Sequence, residues 1–190
     1  MGAFDHIILL LSFVYALAIA HLLSTIALLI RQSACVRFSA RAAFWMVNAL
    51  VIILANWIGF WDLRALPSWS IGTILFTFLI AFTNYLTAAL ACPQTEGNGE
   101  LDLVSFFDRQ RVKILVSTLA SCAAALVANV VYGQALGAIT WDRGNLAVVP
   151  MTAAVLIPLI WRSRVAQVIG PALITAAWIF YFTALQGALK

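Results

Sequence analysis

Residues 4–30 read FDHIILLLSFVYALAIAHLLSTIALLI, and within this run only Asp5, His6 and His21 can carry a charge near neutral pH. A helix needs about 20 apolar residues to cross the hydrocarbon core of a bilayer. The run satisfies that requirement. It also exceeds the apolar part of a signal peptide and has no basic residue before it. We therefore expect it to remain in the protein as a spanning helix.

Five further apolar stretches follow the first. The chain is 64% hydrophobic and 9% charged, whereas an ordinary soluble domain is about 25% charged. Little length is left for a soluble domain. The sequence predicts an all-α, polytopic integral membrane protein whose residues 1–190 form a single transmembrane domain. This domain is a bundle of six transmembrane helices with a cytoplasmic loop at 93–111. The spans lie at about 4–30, 42–61, 70–92, 112–133, 146–161 and 165–185.

The distribution of basic residues predicts the orientation. Of the 11 lysines and arginines, eight fall in the first, third and fifth predicted loops. Cytoplasmic loops of membrane proteins carry such an excess. The pattern predicts an N-out/C-out protein of a bacterial inner membrane, with both termini periplasmic. The eight residues are Arg31, Arg37, Arg41, Arg109, Arg111, Lys113, Arg162 and Arg164.

The net charge of +4 and pI near 9.3 do not point to nucleic acid, because the basic residues lie in loops and form no stripe with interleaved aromatic residues. The lipid bilayer is the expected partner. The three cysteines, Cys35, Cys92 and Cys122, lack the C-x-x-C spacing of redox or metal sites. We interpret them as packing or loop residues.

Polar residues within the spans are few, and they are the candidate site residues. Amides and ionisable groups at that depth need partners, because an unsatisfied polar group in hydrocarbon is costly. Two interpretations remain open. The residues cross-link helices, or they line a polar path among spans one, two, three and six. They are His21, Ser24, Asn48, Asn56, Asp62, Thr77, Asn84 and Gln167.

His21 allows three interpretations. As a neutral imidazole it would donate one hydrogen bond across the bundle. It could also be a proton or ion site, or a haem ligand if two protomers each supplied one histidine. Apart from that haem, the sequence predicts no cofactor and no metal site.

Spans five and six contain helix-break candidates. Proline lacks an N–H group and kinks a helix, and such breaks line the binding sites of many transporters. They also occur in membrane helices without a functional role. The candidates are Pro150, Pro158, Gly170 and Pro171. Three spans on either side of the third loop would suit an inverted repeat, although the two halves show almost no sequence similarity.

The third loop ends in a mixed segment, Leu101 to Lys113. We interpret it as an upstream extension of span four or a short interfacial helix. The alternative is a cytoplasmic gate or a segment that docks a partner.

No catalytic motif is found, so we do not expect an enzyme. The sequence favours a small transport- or channel-like protein that forms a homo-oligomer. The alternative is a non-catalytic accessory subunit of a larger membrane complex. A haem- or quinone-binding redox protein is a third hypothesis.

Overall fold

Six helices account for most of the computed structural model, which describes residues 2–94, 101–137, 143–181 and 183. The prediction of an all-helical chain is confirmed. Two short 3-10 helices cover Ser33–Cys35 and Phe60–Ala65, and strands β1 (Val36–Arg37) and β2 (Leu101–Asp102) form one parallel pair. The helices are α1 Ala3–Arg31, α2 Ala40–Gly59, α3 Ile71–Ala91, α4 Leu103–Ala135, α5 Arg143–Ile160 and α6 Arg164–Phe180.

Four segments of the described chain are long and apolar enough to cross a membrane. Two shorter apolar helices, Asn145–Ile160 and Arg164–Phe180, follow them. The last residues of predicted span six, 184–185, lie outside the described residues, as does residue 182. The four long segments are Ala3–Arg31, Ala40–Ala65, Ile71–Ala91 and Leu103–Ala135.

Serine and aspartate side chains determine where four of the helices begin. Ser39 accepts a hydrogen bond from the Ala42 amide, and Ser70 and Ser163 make the equivalent bonds at α3 and α6. Asp102 accepts from the backbone N–H groups of residues 104 and 105 at the start of α4. These oxygens satisfy amides that have no partner within the helix.

The bundle has two distinct ends. We call one end the terminal end, because α1 begins there. It also contains the α2–α3 connection, and the Phe4 and Trp69 rings lie 6.2 Å apart. We call the opposite end the basic end, because the predicted basic loops lie there. Strand β1 pairs with β2 at this end. Helix α2 packs against α1, α3, α4 and α6, while α5 packs against α4 and α6. The α2 helix is therefore central.

The segment after the third loop is helical. Helix α4 begins at Leu103, so residues 103–111, which the sequence assigned to a loop, form its first turns. Leu103 and Phe107 are 1% and 0% exposed, in one apolar cluster with Trp45. The segment is an extension of α4 that packs inside the bundle, and it does not lie on the surface as a separate interfacial helix.

Two of the four helix-break candidates, Pro158 and Gly170, form a close contact. Helices α5 and α6 run through Pro150, Pro158 and Pro171. Pro158 has no N–H to donate to the Ala154 carbonyl, one turn earlier. Gly170 of α6 packs closely against this turn of α5. A β-carbon on Gly170 would lie 2.7 Å from Pro158 Cγ and 3.0 Å from the Ala154 oxygen. The proline and the glycine together allow α5 and α6 to approach.

Candidate functional site

A cavity of about 180 Å³ lies among α2, α4, α5 and α6 in the terminal half of the bundle, and α3 contributes one lining residue. Ile52, Ile80 and Ile174 are among the apolar residues of its wall. Asp62 and Leu136 line it where the helices end, and both are exposed. The cavity thus extends from the middle of the bundle to its terminal end.

Amides and hydroxyls give this cavity a polar side. Asn56 contributes from α2, and its amide also donates to the Ile52 carbonyl at 2.9 Å. Asn129 contributes from α4, and its amide donates to the Asn145 side chain of α5 at 3.0 Å. Together with the apolar wall, these groups make the cavity amphipathic. At about 180 Å³ it can accept a solute smaller than a drug-sized ligand that has both an apolar part and hydrogen-bonding groups.

Tyr132 connects the cavity to α3. The Tyr132 and Thr77 hydroxyls are 2.6 Å apart, and the tyrosine ring lines the cavity. Ser121 and Cys122 lie three turns earlier on α4 and line the cavity's inner part. The Ser121 hydroxyl is 3.2 Å from that of Thr87 on α3. Helix α4 therefore supplies polar groups along the full depth of the cavity.

Packed side chains separate the cavity from the basic end. Leu115 and Val155 are fully buried there, beside Trp45 at 1% exposure. Asn48, also fully buried, donates to the Phe44 carbonyl at 2.9 Å and to the Pro171 carbonyl of α6 at 3.2 Å. The cavity in this structure is consequently closed on the basic side.

The last carbonyls of α5 reinforce that closure. The Pro158 oxygen accepts from the Arg111 guanidinium at 2.5 Å and from the Gln167 amide at 2.7 Å. Gln167 also donates to the Trp161 oxygen at 3.2 Å. Carbonyls at a helix C-terminus lack partners within the helix and carry partial negative charge. A cation and an amide therefore suit this position.

Two ion pairs cross the basic end. Arg41 lies 2.9 Å from Asp108, with its guanidinium 5.3 Å from the centre of the Phe107 ring. Arg37 lies 3.2 Å from Asp102. The hydrogen bond from the Ser105 backbone amide is the main cause that lowers the pKa of Asp102, and the Ser105 hydroxyl and Arg37 act in the same direction. Asp102 therefore remains ionised beside Arg37 at neutral pH.

The predicted site residues do not come together. Only Asn56 and Asp62 line the cavity. Asn48 joins α2 to α6, Thr77 joins α3 to α4, and Asn84 joins α3 to α1 through a 3.1 Å bond to the Tyr15 hydroxyl. With Gln167, which joins α6 to α5 at the Pro158 carbonyl, helix–helix hydrogen bonds form at four of the path candidates, and such bonds are the first of the two interpretations left open.

His21 and Ser24 lie apart from all of these residues. Both are exposed on α1, while Leu22 and Thr25 beside them face the bundle. The hydroxyls of Ser24 and Thr25 donate to the His21 carbonyl at 3.0 and 2.8 Å. The His21 ring thus faces away from the helices of its own chain.

Asn129 and Tyr132 line the cavity and were missed as site candidates, as was Asn145, which accepts a hydrogen bond from Asn129. Asn129 and Tyr132 are three residues apart on α4, a spacing that places them on one helix face. That spacing is the signal that could have identified them. Asn145 lies beside a predicted turn, and nothing in the sequence links it to Asn129.

Within the described ranges, no three histidine, cysteine, aspartate or glutamate side chains come together as a metal site. No family model matches the chain, and the searches of curated proteins and of solved structures found no match either.

Proposed function

We propose that this chain is a six-span protein of a bacterial inner membrane with both termini in the periplasm. Four long apolar helices and two shorter ones support this assignment. At about 1.5 Å per residue, the 18 residues of α5 rise about 27 Å, close to the roughly 30 Å of a hydrocarbon core. Eight of the 11 basic residues belong to the predicted cytoplasmic loops. In this orientation the cavity faces the periplasm.

The proposed activity is transport of a small amphipathic solute through this cavity. The observation that carries the proposal is an amphipathic cavity that reaches mid-bundle from the terminal end and is closed toward the basic end by packed side chains. Substrate sites of secondary transporters lie near the bilayer midplane and are reached from one side at a time. The path proposed here runs among α2, α4, α5 and α6, whereas the path predicted from the sequence ran among spans one, two, three and six.

Cysteine labelling tests this proposal through Asn56. In a chain whose three native cysteines are replaced by alanine, Asn56→Cys should react with a charged, membrane-impermeant methanethiosulfonate applied from the periplasmic side. It should also react, more slowly, in inside-out vesicles, because a transporter exposes its solute site to each side in turn. The measurement is the labelling rate in right-side-out and inside-out vesicles.

Leu54 provides the matched control. It is 40% exposed on the outer face of the same helix, two residues from Asn56. A thiol at Leu54 would face lipid, where it stays neutral and unreactive toward a charged reagent, so we expect no labelling from either side. Labelling of Asn56→Cys from the periplasmic side alone would contradict transport, and no labelling at all would contradict a water-accessible cavity.

We further propose that protomers associate through the face of α1 that carries His21. An exposed imidazole on a spanning helix is costly in lipid. Contact with a second protomer would give it a hydrogen-bonding partner. Native mass spectrometry from nanodiscs should show a multiple of the 20.7 kDa protomer, and His21→Leu should shift the distribution toward monomer. A wild-type monomer would contradict self-association.

The same exposed histidine also favours the second candidate, an accessory subunit of a larger membrane complex. In that case the mass would include another polypeptide, and His21→Leu would release it. A haem-sized addition lost in His21→Leu would instead indicate the redox protein. The labelling of Asn56→Cys does not depend on which molecule contacts α1. The two experiments therefore test the cavity and the partner of α1 independently.

A further inference from the structure

A second concavity lies at the opposite, basic end, between the end of α1 and the start of α2. Its volume is about 370 Å³, within the roughly 300–1,000 Å³ of small-molecule sites. Ile26, Leu29 and Ile30 form one wall, and Ala43 and Met46 belong to the other. Every lining residue except Ser33 is apolar. We call this concavity the α1–α2 groove.

The groove is open at the surface of the bundle. Ile30 and Phe38, which line it, are each 69% exposed, and Val47 is 46% exposed. The floor is closed, because Met46 is 3% exposed and Leu103 is 1% exposed. An occupant would therefore enter from the side, from the space around the helices, and not through the bundle.

Two exposed arginines are direct chain neighbours of residues that line the groove. Arg31 directly follows Ile30 in the last turn of α1. Arg37 lies between the lining residues Val36 and Phe38, and its side chain is 72% exposed although it pairs with Asp102. Ser33 adds an exposed hydroxyl to the lining. A ligand with an apolar chain and a negatively charged head matches this arrangement.

We propose that the α1–α2 groove binds one anionic phospholipid, with an acyl chain in the groove and the phosphate beside Arg31 and Arg37. Basic pockets between helices on the cytoplasmic side of membrane proteins bind such headgroups. The proposal rests on insertion in a membrane but not on transport, so it survives if the labelling of Asn56→Cys fails. A zwitterionic lipid would fill the groove equally well but would gain less from the two arginines.

Lipid titration followed by native mass spectrometry tests the site on the full chain in detergent. Phosphatidylglycerol should bind more tightly than phosphatidylcholine with the same acyl chains. Arg31→Gln should weaken phosphatidylglycerol binding about fivefold, the effect of one basic residue near an anionic lipid surface. Arg109→Gln is the matched control, because Arg109 is an exposed cation of α4 that adjoins no lining residue of the groove in the chain.

Two further variants separate the head from the chain. Asp102→Asn keeps an oxygen for the start of α4 but removes the negative charge beside Arg37, so it should tighten phosphatidylglycerol binding. Ala43→Phe should fill the groove and weaken both lipids, whereas Ala123→Phe on the exposed face of α4 should weaken neither. Equal binding of the two lipids by the wild type would overturn the proposal, as would an unchanged affinity in Arg31→Gln.

Discussion

Replacing Phe107 by alanine is expected to lower the free energy of unfolding by about 3–5 kcal/mol, the usual cost of removing a buried phenyl ring. Phe107 is 0% exposed, and Arg41 lies over its ring. The variant would leave a void between α4 and α2 and remove that cation–π contact. Reversible unfolding in mixed micelles, followed by tryptophan fluorescence, measures the change.

Phe82→Ala serves as the reference for this experiment. Phe82 is 57% exposed on α3, so its loss should change stability little. If Phe107→Ala also costs less than about 1 kcal/mol, the first turns of α4 do not pack inside the bundle. The segment would then lie at the membrane surface, the interpretation that the structure argues against.

Gly170→Ala is expected to destabilise the contact between α5 and α6 by about 1–3 kcal/mol, the range for an added methyl group in a packed core. The new β-carbon would meet the Pro158 ring at 2.7 and 2.8 Å and the Ala154 carbonyl at 3.0 Å. A proline ring and a backbone carbonyl cannot rotate away, so the helices themselves must separate. The midpoint of thermal unfolding in detergent should fall accordingly.

The matched control for this substitution is Gly133→Ala on α4. A β-carbon at Gly133 meets nothing within 4 Å, and alanine favours a helix over glycine by up to about 1 kcal/mol. Gly133→Ala should therefore leave stability unchanged or raise it. Equal effects of the two substitutions would show that Gly170 acts through helix propensity and not through its contact with Pro158.

Gly170 does not line the cavity, so its direct effect is on stability and not on transport. The sequence predicted a helix break at 170–171, as in transporters whose broken helices line the solute site. The structure places Gly170 against α5, and the cavity wall on α6 begins at Ile174. Gly170 therefore acts first on the distance between two helices, and any effect on transport would follow from that distance.

Much of the helical framework could be predicted from composition and local pattern. The six apolar stretches correspond to the six helices, and Ser39, Ser70 and Ser163 mark three of their starts. The predicted first span, 4–30, differs from α1 by one residue at each end. These features depend on residues close together in the chain, which is why sequence alone is enough.

The candidate site could be predicted only in part, because inward-facing and lipid-facing positions look alike in sequence. Lipid is as apolar as the interior of a bundle, so hydrophobicity does not show which face of a helix turns inward. On α1, Tyr15 is buried and bonded to Asn84, while the more polar His21 is exposed. Asn56 and Asp62 were identified, but Asn129 and Tyr132, which line the same cavity, were not.

The sequence alone predicts that the chain forms apolar helices of membrane-spanning character, approximately where five of the six begin, and which loops carry the positive charge. Tertiary structure decided that α2 is central, that α4 extends into the basic end, and that Asn48, Thr77 and Asn84 join helices. It also placed the cavity among α2, α4, α5 and α6. Helix formation depends on hydrogen bonds within one segment, whereas the pairing of helices depends on side chains that are far apart in the chain and meet only when the bundle packs.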